Sequence, residues 1–173
     1  MPEATLHDTD IYAWSERQAA ALRRLAGRTD LPVDLDLLTV AEEIEDLGVS
    51  QLNAVESYIR LILSHLVLAF SDSRSDAIRH WAAKAATWHS ELEQRLTPAI
   101  LGKVRLNRVW QSALREADGK LKAYSRTTAR ERVRRALPQE GCPIPLEDLC
   151  SVGFDFEDIV RRLSAFGHDG DQT

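Results

Sequence analysis

The sequence predicts an all-α fold, on three observations. Apolar residues recur every three or four positions through most of the chain, the spacing that lines one face of a helix. Capping Asp, Ser and Thr residues and stopping Gly and Pro residues punctuate that pattern. No stretch alternates apolar and polar residues with period two, so no sheet is expected.

The elements follow in order. Ile11, Trp14, Gln18, Ala21, Leu22 and Leu25 form a first stripe, with Asp8 or Asp10 placed to cap it and Gly27 to end it. After a link over 28–33 that contains Pro32, a short second helix is predicted, capped by Asp36 or Thr39; Thr39 and Glu42 have capping-box spacing. Its inward face is Leu37, Val40, Ala41, Ile44 and Leu47, and Gly48 stands where a left-handed residue would end it. Ser50 then caps a third helix over about 51–70. Apolar residues cover most of its circumference, which marks a central helix.

A fourth helix over about 75–96 carries the stripe Ile78, Trp81, Ala85, Trp88, Leu92 and Leu96, and Pro98 stops it or restarts the chain. The fifth has Leu106, Trp110, Ala113, Leu114, Ala117, Leu121 and Tyr124 in register, with Gly119 in its interior costing about 1 kcal/mol relative to Ala. Thr127 or Thr128 caps a basic turn over 129–136. Pro138, Gly141, Pro143 and Pro145 form an irregular strap. Two short helices over 146–150 and 156–166 finish the fold, the last capped by Asp155 and stopped by Gly167. The expected architecture is one domain over 8–166, a bundle of four to five main helices around the central helix 51–70 with short C-terminal helices. Tails are expected at 1–7 and 167–173.

Composition agrees with a globular chain: 173 residues, 44% hydrophobic and 28% charged, with net charge −5. Charge is unevenly spread. Residues 101–135 hold 11 of the 22 Lys and Arg against Glu116, Asp118 and Glu131, a surplus of +8 that leaves −13 on the rest. Cys142 and Cys150 lack the spacing of a zinc clamp or a redox motif. Residues 1–10 show no leader pattern, and the apolar stretch 58–70 contains Arg60, Ser64 and His65, too short and polar to span a bilayer. A cytoplasmic protein without a membrane partner is expected.

Certain residues stand in a recognisable order. Tyr12 and Trp14 precede Gln18-Ala19 and Leu22-Arg23; then come Leu35-Asp36, the run Ala41-Glu42-Glu43-Ile44-Glu45-Asp46-Leu47-Gly48, and His65-Leu66. Trp81, Leu96-Thr97-Pro98, Leu137-Pro138 and Cys142-Pro143 follow. Over residues 8–150 this resembles the domain of unknown function twenty-nine family, known mainly from cyanobacteria and other bacteria. The sequence departs from the family pattern at Val67-Leu68, at Ser71-Asp72-Ser73 and at His89. The resemblance implies an all-helical fold and a bacterial origin; it implies no activity.

Three chemistries are candidates. Glu42, Glu45 and Asp46, at i, i+3 and i+4, can share a helix face, and with His65 and His89 they would suit a divalent metal in a helical bundle. No cofactor is otherwise predicted. Against that site, no Glu-x-x-His or His-x-x-x-His pair pre-positions two ligands, and a buried His65 bonded to a carboxylate or carbonyl explains the residue as well. Arg126, Arg130, Arg132, Arg134 and Arg135 form a basic cluster that could meet phosphates, yet Glu131 interrupts it and the chain is acidic. A solvated or internally paired face is the favoured reading of that cluster, and no nucleic-acid partner is expected. Trp14, Trp81, Trp88 and Trp110 fall on core stripes, whereas Phe154, Phe156 and Phe166 fit docking on a bundle, its own or a partner's. An interaction or adaptor module, with a protein partner or a second copy, is therefore favoured over an enzyme.

Overall fold

Asp10 sets the start of the first long helix. Its carboxylate accepts the Ala13 N–H at 2.9 Å, and the helix then runs to Ala26, ahead of Gly27. The computed structural model describes residues 5–28, 30, 32, 34–72 and 74–169, with the side chains of 75 and 166–169 excepted. Among the described residues the chain is all-helical, without a strand: α1 Leu6–Thr9, α2 Ile11–Ala26, α3 Leu37–Ser71, α4 Ser75–Glu93, α5 Pro98–Leu101, α6 Leu106–Ala123, α7 Thr127–Ala136, α8 Leu146–Cys150 and α9 Phe156–Asp169. Its contacts group into two compact units, Met1–Val55 with Arg95–Val104, and Glu56–Gln94 with Arg105–Thr173.

In the first unit α2 buries Tyr12, Ser15 and Ala19, one face at helical spacing. The short second helix expected to stop at Gly48 does not exist. Asp36 accepts the Thr39 N–H (3.1 Å) and hydroxyl (2.7 Å), and the helix it caps continues for 35 residues through Gly48 and Ser50. Thr39 therefore forms no capping box, and Ser50 caps nothing. Gly48 has no positive φ. Its role is close approach: a Cβ there would stand 2.2 Å from Ser15 Oγ and 3.3 Å from Tyr12 Cδ2. Ser15 is fully buried, its hydroxyl donating to the Tyr12 carbonyl at 2.9 Å. Glycine is present because α2 lies against the helix there, and both signals look alike in sequence.

Pro98 restarts the chain: Thr97 accepts the Ile100 N–H, Pro98 occupies the first turn, and α5 packs on α2. Lys103 donates to Glu16 at 2.9 Å, and Tyr12 donates to the same carboxylate oxygen at 3.2 Å.

The second unit has the remainder of α3 at its core. Every residue from Ile62 to Ser71 is buried, as a central helix requires. By length and composition α3 is apolar enough to cross a membrane, but 67% of its most apolar window is buried inside the protein. The α6 start is fastened to α3 by Glu56, which accepts the Arg105 N–H at 3.0 Å. α6 buries Val109, Trp110, Ala113, Leu114, Ala117 and Leu121, and the Trp110 indole donates to the Pro138 carbonyl at 2.8 Å. Tyr124, expected to continue that stripe, is 77% exposed because α6 ends at Ala123. α9 packs on α4 and α7, with Asp155 accepting the Asp158 N–H at 2.9 Å. It passes Gly167 and reaches Asp169, so the expected stop there is not used. Phe156 is buried and Phe154 stacks on His89, so this segment docks on the chain's own bundle. The side chain of Phe166 lies outside the described residues.

Candidate functional site

The acidic run divides into separate roles. Glu45 pairs with Arg23 of α2, which holds its carboxyl below the usual range. Glu42, Glu43 and Asp46 are exposed. His65 is 19 residues beyond Asp46 on the same helix and belongs to the second unit. His89, on α4, stacks on Phe154 with ring centroids 4.5 Å apart, and its Nδ1 is 3.8 Å from Glu93. Among the described residues no three His, Cys, Asp or Glu side chains converge to hold a metal ion. The two helices expected to carry the carboxylates and His65 are one, α3, so these residues do not stand on two facing helices.

The arginine cluster splits by helical phase. Residues four apart share a face, and those two apart point to opposite sides. Arg130 and Arg134 both meet Asp118 of α6, at 2.8 and 3.1 Å, and lower its carboxyl pKa. Arg132 lies on another face with its guanidinium 4.8 Å from the Phe70 ring centroid. Arg135 is exposed. The expected internally paired face describes Arg130 and Arg134 only.

Arg126 and Arg132 line a cleft of about 910 Å³ in the second unit. The end of α3 and the residue after it supply His65, Leu68, Ser71 and Asp72; α4 and the residue before it supply Arg74, His80, Trp81 and Lys84; α6, α7 and their turn supply the rest, with Lys120 and Tyr124 among them. Five permanent cations, Arg74, Lys84, Lys120, Arg126 and Arg132, face one carboxylate, Asp72. Asp72 already holds Arg74 with bonds from Nε at 2.9 Å, and Lys120 reaches Glu116 at 2.8 Å. Among the described residues no carboxylate lies at ion-pair distance from Lys84, Arg126 or Arg132. Burial and the charge of Arg60 hold the Lys120 amine below its ordinary pKa.

Two backbone features meet at this cleft. Ser125 has φ of 55°, the left-handed position of a closing turn in which Arg126 N–H donates to the Leu121 carbonyl (2.9 Å) and Ser125 N–H to that of Lys122 (3.0 Å). The turn leaves Tyr124 outside and starts α7. Neither Thr127 nor Thr128 caps that helix; Arg126 is at the cap position and makes no side-chain cap bond. The first amides of α7, on Thr127, Thr128 and Ala129, belong to residues that line the cleft, where a helix's positive end favours an anion.

His65 is only 5% exposed, with Nδ1 2.9 Å from the Leu61 carbonyl and its ring edge-on to Trp88. Burial, with a smaller contribution from the charges of Lys120, Lys84 and His80, pushes its pKa down to about 4. The ring is therefore neutral, carries its proton on Nδ1, and offers Nε2 as an acceptor. Cys142 and Cys150 are both pushed up to about 11 by burial, which keeps both thiols protonated near neutral pH.

Sequence reasoning missed Arg74, Lys84 and Lys120. They come from different helices, and nothing in their spacing joins them. The only signal was the positive surplus of 101–135, which contains Lys120, Arg126 and Arg132.

The pattern described as Domain of unknown function DUF29 matches residues 6–154. The chain belongs to this family. A crystal structure of an alpha-helical protein of unknown function from Rhodospirillum rubrum, 31% identical, covers 93% of this chain and 99% of its own, with a TM-score of 0.76. No curated protein matches the chain. For this family member, then, both findings establish fold and kinship, and the function is unknown.

Proposed function

We propose that this protein binds a small phosphate-bearing anion in the cleft of its second unit. One observation carries the reading: five cations and an uncapped helix start surround one cavity that contains a single carboxylate, itself engaged by Arg74. Like charges held together raise one another's energy, and an anion relieves it. The cavity volume of about 910 Å³ lies within the ~300–1,000 Å³ typical of small-molecule sites. Arg130 and Arg134, which would extend a basic track for a nucleic acid, are engaged by Asp118.

Calorimetric titration of the full chain with inorganic pyrophosphate at low salt tests this. Binding should weaken with added salt, and Arg126→Ala with Arg132→Ala should reduce it by about tenfold or more. Arg135→Ala, outside the cleft lining, should leave it unchanged. No binding, or binding indifferent to the Arg126 and Arg132 pair, would sink the proposal.

A second reading, protein binding, is favoured by the first part of α3. Leu38, Val40, Leu47 and Val49 are each at least 40% exposed, beside the exposed acids Glu42, Glu43 and Asp46. A partner with an apolar centre and a basic rim suits that face. Val40→Lys with Leu47→Lys should abolish co-purification of such a partner from the native host without lowering Tm; unchanged capture would refute it. We infer a bacterial, cytoplasmic setting, supported by the family resemblance and by two free cysteines.

A further inference from the structure

We propose that the anion in the cleft is a nucleoside phosphate, held by its phosphate at one side and by a hydrogen bond to His65 at the other. This rests on the phosphate-binding reading above and names its ligand class.

Inorganic phosphate alone would use only part of the site. Arg126, Arg132 and the first amides of α7 account for the charge on the ligand. His65 does something the cations cannot. Its Nδ1 proton is committed to the Leu61 carbonyl, and no described residue is bonded to Nε2. A neutral imidazole in that tautomer can only accept, and among so many donors it singles out a ligand group that donates. The phosphate oxygens that meet Arg126 and Arg132 are ionised acceptors and offer no such hydrogen. A sugar hydroxyl or a base amino group does.

The aromatic lining points the same way. Trp81 and the exposed Tyr124 both line the cleft, and a flat base can lie against such rings. A sugar phosphate would satisfy His65 but leave these rings without a partner; a nucleotide uses both. A site built around a fixed acceptor also rejects ligands that lack the donor, because Nε2 is then desolvated and unpaired.

The test compares pyrophosphate with ADP, GDP, CDP and UDP in calorimetric titrations of the full chain, with a short single-stranded oligonucleotide as competitor. At least one nucleoside diphosphate should bind about tenfold or more tightly than pyrophosphate. His65→Phe, which keeps an aromatic ring but removes the acceptor, should erase that advantage, so that the variant binds nucleoside diphosphate and pyrophosphate with equal affinity. Equal affinities for all four nucleotides and pyrophosphate would overturn the nucleotide assignment while phosphate binding stands. If nothing binds, both readings fail. An oligonucleotide that displaces pyrophosphate where no nucleoside diphosphate does would also overturn it, in favour of a strand. The wild-type comparison needs no variant, so a His65→Phe protein that failed to fold would not protect the proposal.

Discussion

The two parts of α3 are made from similar residues and meet opposite fates. Before Val55, Leu38, Val40, Leu47 and Val49 are exposed, and the buried face is the narrow row Leu37, Ala41, Gly48, Leu52 and Val55. After it, ten consecutive residues from Ile62 to Ser71 are buried. Hydrophobicity describes what a helix can bury; the number of neighbouring elements decides what it does bury. In the first unit α2 covers one face at Gly48. In the second unit the helix is enclosed around its whole circumference from Ile62 onward.

The largest effect should come from testing that contrast directly. Leu66 is fully buried and Leu47 is 51% exposed. In urea denaturation, Leu66→Ala should cost about 3 kcal/mol, and Leu47→Ala should stay within about 0.5 kcal/mol. Similar losses would mean that the exposed face is covered in solution, and would strengthen the protein-binding reading.

Next in size is a pH effect confined to the second part of α3. His65 titrates near 4 in the fold and near its ordinary 6.5 when unfolded. As pH falls, the unfolded chain takes up this proton first. Stability is therefore intact above about pH 6.5, declines from there to about pH 4 and levels off below it, by roughly 3 kcal/mol. The lowered carboxyls of Asp36, Asp72 and Asp118 lose their contributions at still lower pH, below their ordinary 3.8. Thermal denaturation from pH 7 to 4 should show the first decline in the wild type and not in His65→Phe. A wild-type curve that is flat across this window contradicts the buried neutral ring.

Two glycines extend the comparison. A Cβ at Gly48 meets Ser15 Oγ at 2.2 Å, whereas at Gly119 it meets nothing within 4 Å. Gly48→Ala should lower stability by about 1–3 kcal/mol despite the better helix propensity. Gly119→Ala, on the exposed side of α6, should raise it by roughly 0.5–1 kcal/mol. Chemical denaturation of both variants checks the signs, and a stabilised Gly48→Ala would refute close packing of α2 there.

A gain similar in size to that of Gly119→Ala is expected at Ser125. A non-glycine residue at φ of 55° carries local strain, so Ser125→Gly should raise Tm by a few degrees, consistent with about 1 kcal/mol. No gain would mean that the Ser125 side chain offsets the strain.

The candidate site was legible only in pieces. The arginine cluster was visible, but its division was decided by helical phase: Arg130 and Arg134 face Asp118, while Arg132 reaches Phe70. The metal set assumed two helices over 37–70 where the fold has one. Gly48 was read as a stop because a helix end and a close helix contact both favour a residue without a Cβ.

The sequence by itself determined the helical class, the family, the cap at Asp155, and the enclosed character of the helix through Ile62, and it narrowed two other caps to Asp8 or Asp10 and Asp36 or Thr39, because these follow from local backbone chemistry and from periodicity along one segment. Only the tertiary structure decided that α3 is continuous, that Tyr124 is exposed, and that Arg74, Lys84, Lys120, Arg126 and Arg132 share one cleft. Those outcomes depend on which residues of distant segments meet, and no local spacing encodes a contact between helices.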